Sequence, residues 1–310
     1  MPLTTESSSA LLAFSNGLAE AIAHAAPVVV AVNARHRMAS SGIHWRSGYV
    51  VTADHTVKRE DDITVTLSDG RMLPAQLVAR DSGTDLAILQ IQETNLPTAE
   101  LADAASLKVG HIVLAIARSN EGNTSACMGV VSALSGTWRS WHGGQIDQFI
   151  RPDITPYPGF AGSPLVTVQG EIIGINTAGP RGAILTIPAS TIDRVVNQLL
   201  QKGRIARGYL GLGMQPVQLP KTLQETLGLS HDGGVIVVSV EPDAPADRAG
   251  VLIGDILVAL DQTPIRDVRD VHTMLDPDRV GKPLTAQIVR GGTLTEITIT
   301  VGERPLKEAR

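Results

Sequence analysis

The spacing of apolar positions changes along the chain, and each change marks a new element. Between about residues 11 and 26 the spacing is helical, with Leu12, Phe14, Leu18 and Ile22 in phase and Pro27 as the stop. From there to about residue 185 short β runs take over, at 28–32, 49–52, 63–67, 86–89 and 171–175. Turn residues such as Ser68-Asp69-Gly70 separate these runs at regular intervals, which predicts an antiparallel barrel or sandwich. An amphipathic helix follows, with Ser190 as N-cap, Ile192, Val195, Val196, Leu199 and Leu200 on one face, and Gly203 as the stop. The basic, glycine-containing stretch 202–208 reads as a domain boundary. Residues 209–305 again mix short strands with two short helices, a small α+β unit.

Composition narrows the picture. A chain of 310 residues fits roughly two domains. With 43% hydrophobic and 18% charged residues it is globular and neither disordered nor collagenous. A net charge of −5 without clustering, and only 3% aromatic residues, argue against nucleic acid as a partner. Cys127 is the sole cysteine, so there is no intrachain disulfide and no cysteine metal cluster; it reads as a small buried hydrophobe. No apolar run approaches the ~20 residues of a membrane span. Residues 1–10 lack the basic and apolar regions of a signal peptide, so the chain as written reads as cytoplasmic, or periplasmic if a leader has been removed.

Three segments carry candidate chemistry. In Gly48-Tyr49-Val50-Val51-Thr52-Ala53-Asp54-His55 a strand delivers His55 to the loop beyond its end. In Asp81-Ser82-Gly83-Thr84-Asp85-Leu86-Ala87-Ile88-Leu89 the carboxylate of Asp85 stands at the mouth of an apolar strand, where a buried acid needs a hydrogen-bond partner. In Pro158-Gly159-Phe160-Ala161-Gly162-Ser163-Pro164-Leu165-Val166 small residues permit a tight turn whose amides converge on one point, the geometry of an oxyanion hole. Taken singly, each has an ordinary reading as surface histidine, turn-capping aspartate or glycine turn. Their order, each beside a strand end of one β domain, points to acyl-transfer chemistry.

These segments resemble the HtrA family of trypsin-like proteases, whose nucleophile turn reads Gly-Asn-Ser-Gly-Gly-Pro-Leu. The similarity extends through Gly129-Val130-Val131-Ser132-Ala133-Leu134, Gly170-Glu171-Ile172-Ile173-Gly174-Ile175-Asn176-Thr177, Thr186-Ile187-Pro188 and Arg207-Gly208-Tyr209-Leu210-Gly211, nearly the whole chain. The resemblance implies a mainly β chain: a trypsin-like double β-barrel protease domain over 1–206, followed by a small α+β PDZ domain over 207–310. It implies His55 as general base, Asp85 as its orienting acid, and Gly159 with residue 161 as oxyanion donors. It also implies unfolded polypeptide substrates and a homotrimer. No cofactor is expected.

The departures are as informative. Ala161 stands at the nucleophile position, Phe160 replaces the usual asparagine and Ser163 the second glycine. Alanine has no oxygen, so no acyl-enzyme forms on it. Ser163, two residues along the turn, is too far from His55 to replace it. Either a working protease has been silenced by one Ser→Ala replacement, the reading favoured by the retention of His55, Asp85 and the turn, or the chain is a natural pseudoprotease that binds peptides as a scaffold or chaperone. Thr155 and Pro156 are expected to line the pocket for the residue before the scissile bond. With no acid there, the pocket suits a small or aliphatic side chain.

In the second domain the PDZ resemblance rests on Tyr209-Leu210-Gly211-Leu212, Gly234-Val235-Ile236-Val237, Arg248-Ala249-Gly250-Val251 and Gly254-Asp255-Ile256-Leu257. Leu210, Gly211 and Leu212 are expected to receive a peptide's C-terminal carboxylate beside an open strand edge. A helix over about 268–275 places Val271 and Leu275 toward the groove, with ordinary core as the alternative for Val271.

Overall fold

A computed structural model of the chain describes residues 5–36, 38–140, 143–155, 157–202, 208–275 and 279–303. The chain divides into two compact units, Met1–Arg204 and Ile205–Arg310. The boundary expected between 206 and 207, and the Gly203 stop, lie outside the described residues.

The first unit begins with helix α1 (Thr5–Ala25), which starts earlier than its apolar spacing suggested. Ala21 and Ala25 are its buried contacts, whereas Leu11, Leu12 and Phe14 are exposed. Strands β1 (Val29–Asn33), β2 (Ser40–Arg46), β3 (Tyr49–Ala53), β4 (Ile63–Thr66), β5 (Met72–Asp81) and β6 (Leu86–Ile91) close a barrel in the order β1-β2-β3-β6-β5-β4. Strands β7 (Ile112–Arg118) and β8 (Thr124–Ser135) open the second barrel. A small hairpin, β9 (Trp138–Arg139) and β10 (Gln145–Ile146), precedes β11 (Phe149–Asp153), β12 (Pro164–Val166), β13 (Ile172–Ala178) and β14 (Ile184–Pro188). These close it in the order β11-β14-β13-β12-β7-β8.

Alternation explains the filling of each barrel, because every second side chain of a strand faces inward. Val30, Val32, Val50, Val65 and Leu89 fill the first. Val113, Ala115, Val131, Ile150 and Leu165 fill the second. Cys127 packs partly buried against the second core, and burial pushes its thiol pKa up, as befits an inert filler.

Helix α2 (Ala189–Lys202) buries Ile192, Val195, Val196 and Leu199 completely. It begins at Ala189, so Ser190 sits inside the first turn and is not the N-cap. Beside the buried face Asp193 accepts bonds from Trp45 Nε1 at 2.9 Å and Arg46 at 2.7 Å, tying the end of the second barrel to β2 of the first. The Arg118 guanidinium adds a second tie: it is buried, and donates to the carbonyls of Val29, Ala26 and Gly122.

The second unit comprises β15 (Gly208–Tyr209), β16 (Leu212–Gln218), α3 (Lys221–Leu227), β17 (Gly233–Val240), α4 (Pro245–Arg248), β18 (Ile256–Leu260), β19 (Thr263–Pro264), α5 (Val268–Thr273), β20 (Pro283–Arg290), β21 (Thr293–Thr300) and β22 (Gly302–Glu303). Its main sheet runs β16-β17-β18-β20-β21, which leaves β16 on an edge. Among the described residues three short helices are present where two were expected. The additional one, α3, packs Leu223 and Leu227 against Leu219, Val258 and Val289. The Gly254-Asp255 motif has a structural explanation: buried Asp255 pairs with Arg290 at 2.7 Å. Burial alone would raise that carboxyl, but Arg290 and the Leu252 amide hold it below the usual range.

Candidate active site

Strand β3 ends at Ala53, and the next three residues, Asp54–Thr56, form a single 3-10 turn that carries His55. The turn is held from two directions. Asp54 is buried and accepts Arg80 Nε at 2.6 Å and the Ser82 hydroxyl at 2.7 Å. On the other side Asp85 takes the amides of two successive turn residues, Asp54 N on its carbonyl at 3.1 Å and His55 N on Oδ1 at 2.8 Å. The His55 imidazole Nδ1–H donates to Oδ2 of the same carboxylate at 2.7 Å. That leaves Nε2 as the ring atom turned away from the acid.

Asp85 is placed by its own loop. The Asp81 carboxylate accepts Gly83 N, Thr84 N and the Thr84 hydroxyl, closing the turn that precedes β6. Asp85 then adopts φ 57°, a left-handed conformation that aspartate tolerates better than most residues. The β9–β10 hairpin braces this loop, with Ser140 Oγ donating to the Gly83 carbonyl at 2.5 Å. A third donor reaches Asp85 from the second barrel: the Thr177 hydroxyl bonds to Oδ2. Sequence reasoning did not assign Thr177, although it closes the matched segment Ile175-Asn176-Thr177.

The glycine-framed turn packs directly on the end of β3. A Cβ on Gly162, which has φ +80°, would stand 2.2 Å from the Ser41 carbonyl, 2.5 Å from Thr52 Oγ1 and 3.1 Å from Ala53 N. Only glycine permits this approach. Ser41, fully buried on β2, clasps the turn twice: its amide donates to the Ala161 carbonyl at 3.0 Å and its hydroxyl to the Gly159 carbonyl at 2.9 Å. Phe160 N donates to Tyr157 O, and Ser163 N to Phe160 O. Among the described residues the amides of Gly159 and Ala161 donate to no backbone partner, so both are free for a ligand. Phe160 is 4% exposed within the second barrel's core. Ser163 is wholly buried, and its hydroxyl accepts Asn176 Nδ2–H at 3.2 Å. It therefore faces the barrel interior, away from His55.

A cleft of about 350 Å³ opens over Ala161, with an apolar wall of Ile154, Tyr157, Pro158, Phe160, Ala178 and Ile184. Thr155 is exposed and does not line it, contrary to expectation; the chain alternates, turning Ile154 inward and Thr155 out. Pro156 lies outside the described residues.

A trypsin-like peptidase domain matches residues 40–175, and a PDZ domain matches residues 208–301. The solved structure of the HtrA-type protease AlgW with a decapeptide matches 93% of this chain and 99% of its own, with 30% identity and a TM-score of 0.73. With a tripeptide, AlgW matches 93% of this chain and 98% of its own, at 33% identity and a TM-score of 0.72. The chain belongs to the HtrA family. A similar curated protein, "Probable periplasmic serine endoprotease DegP-like" of Halomonas elongata, is 33% identical over 277 residues, 87% of this chain and 57% of the relative. Its namesake in Pseudomonas putida is 35% identical, over 84% of this chain and 55% of that protein. The chain thus spans about half the length of these curated relatives.

In the PDZ domain, β16 stands at one edge of the main sheet. Leu210 and Gly211 immediately precede it, and among the described residues their amides donate to no backbone partner. Leu212 begins the strand, paired with Val240. Val271 is fully buried in the domain core, so the core reading holds for this position, because α5 turns that face onto the sheet. Leu275 follows α5 and is half-buried against the same core.

The Gly162 contact gives a direct test of the turn. Gly162→Ala is expected to destabilise the first unit by about 2–4 kcal/mol, from overpacking added to a left-handed backbone. Gly70→Ala, at φ +83° with nothing within 4 Å, is the control that carries the backbone penalty alone, about 1–2 kcal/mol. Denaturant unfolding of the two variants measures the difference.

Proposed function

We propose that this chain is an HtrA-type serine endopeptidase of unfolded or misfolded protein segments, silent in the present sequence because residue 161 carries no hydroxyl. The observation behind this reading is the surviving site around Ala161: His55 held in one orientation by Asp85, and a turn with two free amides. With serine at 161, its hydroxyl would attack the scissile carbonyl while His55 Nε2 took the proton. Asp85 would stabilise the imidazolium, and the amides of Gly159 and residue 161 would receive the oxyanion. Thr177 would share the negative charge of Asp85 and fix its plane. The apolar wall suits an aliphatic side chain before the scissile bond.

A second reading has its own support. Phe160 and Ser163, both departures from the family turn, are fully accommodated by the barrel core and by Asn176. In a natural pseudoprotease the same cleft and the PDZ edge would hold peptides without cutting them. In either reading the PDZ domain captures peptide C-termini through Leu210, Gly211 and Leu212. The assembly proposed is the homotrimer of the family. The relatives' names include the word periplasmic, which supports the periplasm over the cytoplasm as the compartment. Among the described residues no helix is long and apolar enough to cross a membrane.

Ala161→Ser is expected to produce cleavage of casein, raising the rate by about 10⁴-fold or more. In that background His55→Ala and Asp85→Asn each remove nearly all activity, and the double variant is little worse than either. A folded Ala161→Ser protein that leaves casein intact would favour the scaffold.

Peptide capture is measured separately, by calorimetric titration of the full chain with peptides bearing a free, apolar C-terminus. Amidating the terminus is expected to weaken binding roughly tenfold, the loss of one charge-assisted set of hydrogen bonds. Equal affinity for both forms rules out carboxylate capture.

A further inference from the structure

The cleft over Ala161 has one wall that the proposed chemistry does not use. Arg35 and Met38, from the loop between β1 and β2, line it opposite the apolar side chains of the second barrel. Arg35 is half-buried, and its guanidinium is fixed at the cleft by its own loop: Nε donates to Met38 O at 2.6 Å and Nη2 to Ala39 O at 3.2 Å. The Ala39 carbonyl in turn lies 3.6 Å from the Cβ position of Gly159, which sets the arginine beside the oxyanion turn. Among the described residues no carboxylate comes within ion-pair distance of Arg35, and its Nη1 has no hydrogen-bond acceptor. A guanidinium immobilised by two carbonyls yet lacking a counter-ion, on the wall of a mostly apolar cleft whose other polar side chains, Asn176 and Thr177 among them, are neutral, is a ready receptor for a carboxylate.

We propose that Arg35 is a specificity-determining residue that selects a carboxylate on the leaving-group side of the bound polypeptide. This rests on the protease reading of the cleft. The side chain before the scissile bond fills the pocket formed by Ile154, Phe160 and Ile184 of the second barrel. The acyl carbon lies over residue 161 with its oxygen toward the Gly159 amide. The chain that continues past the bond then runs over the first barrel, where Arg35 stands. An aspartate or glutamate one or two residues beyond the bond places its carboxylate against the free Nη1. A peptide ending there offers the same chemistry through its terminal carboxylate.

The chain with Ala161 tests the binding without any turnover. Acetylated, amidated fluorescent peptides, which have no terminal carboxylate for the PDZ domain to capture, carry one glutamate moved stepwise from two positions before to three after an aliphatic residue. Fluorescence polarisation is expected to show about five- to tenfold tighter binding when glutamate lies one or two positions after it, the size of one partly exposed charge-assisted bond. The gain disappears in Arg35→Gln, persists in part in Arg35→Lys, and shrinks between 50 and 500 mM salt in the unmutated arginine chain. A neutral peptide with a free C-terminus at that position tests a terminal carboxylate as the source, read as the affinity lost between the unmutated chain and Arg35→Gln, because capture by the PDZ domain is common to both. Equal affinity for glutamate and glutamine peptides, or a preference that survives Arg35→Gln, overturns the proposal. Casein cleavage by Ala161→Ser reports separately on the protease reading, so failure of one is not mistaken for failure of the other.

Discussion

The Asp85 carboxylate is the point on which the site depends. Its Oδ1 holds the main chain of the histidine turn, its Oδ2 holds the imidazole, and the Thr177 hydroxyl reaches Oδ2 from the other barrel. A carboxylate at a barrel mouth is stable only when such donors replace its water, each contributing about 1.5–3 kcal/mol when the acceptor is charged. Those donors are also what fix the imidazole and bring strands of both barrels to one place. Satisfying one charge therefore builds half of the site. The left-handed backbone of Asp85 and the Asp81-capped loop before it exist to put the carboxylate there.

The other half, the amide turn, is anchored without help from the side chain of residue 161. Ser41 grips the carbonyls of Gly159 and Ala161, Phe160 is sunk in the second core, and Gly162 packs on β3. Replacing a serine hydroxyl by hydrogen at 161 removes none of these contacts. That is why the turn keeps its shape with alanine at 161, and why the two readings of Ala161 share one geometry.

Much of this was legible in the order of residues. The β runs at 49–52 and 86–89 ended where the strands end, within two residues, because each is a short, nearly continuous apolar run whose strand is buried on both faces. His55, Asp85 and the turn were found because each follows or precedes a strand terminus, which a one-dimensional pattern records. Thr177 and Ser41 were not found, because each acts across a barrel junction, 92 residues from Asp85 and 118 from Gly159 respectively. Thr155 was placed by its alignment with the family pattern, and alignment does not resolve which way a side chain turns. Leu12 and Phe14 were read as part of a helical apolar face yet are exposed, since periodicity reports an amphipathic face and not what covers it.

The central claim is that a preorganised acyl-transfer site lacks only its nucleophilic oxygen. Its most direct measurement is the intact mass of the Ala161→Ser chain after exposure to a fluorophosphonate, which phosphonylates an activated serine. The account predicts one adduct per chain, mapped to residue 161, absent from the alanine chain and suppressed by His55→Ala. No adduct on a folded Ala161→Ser chain, or an adduct at Ser163, would contradict it.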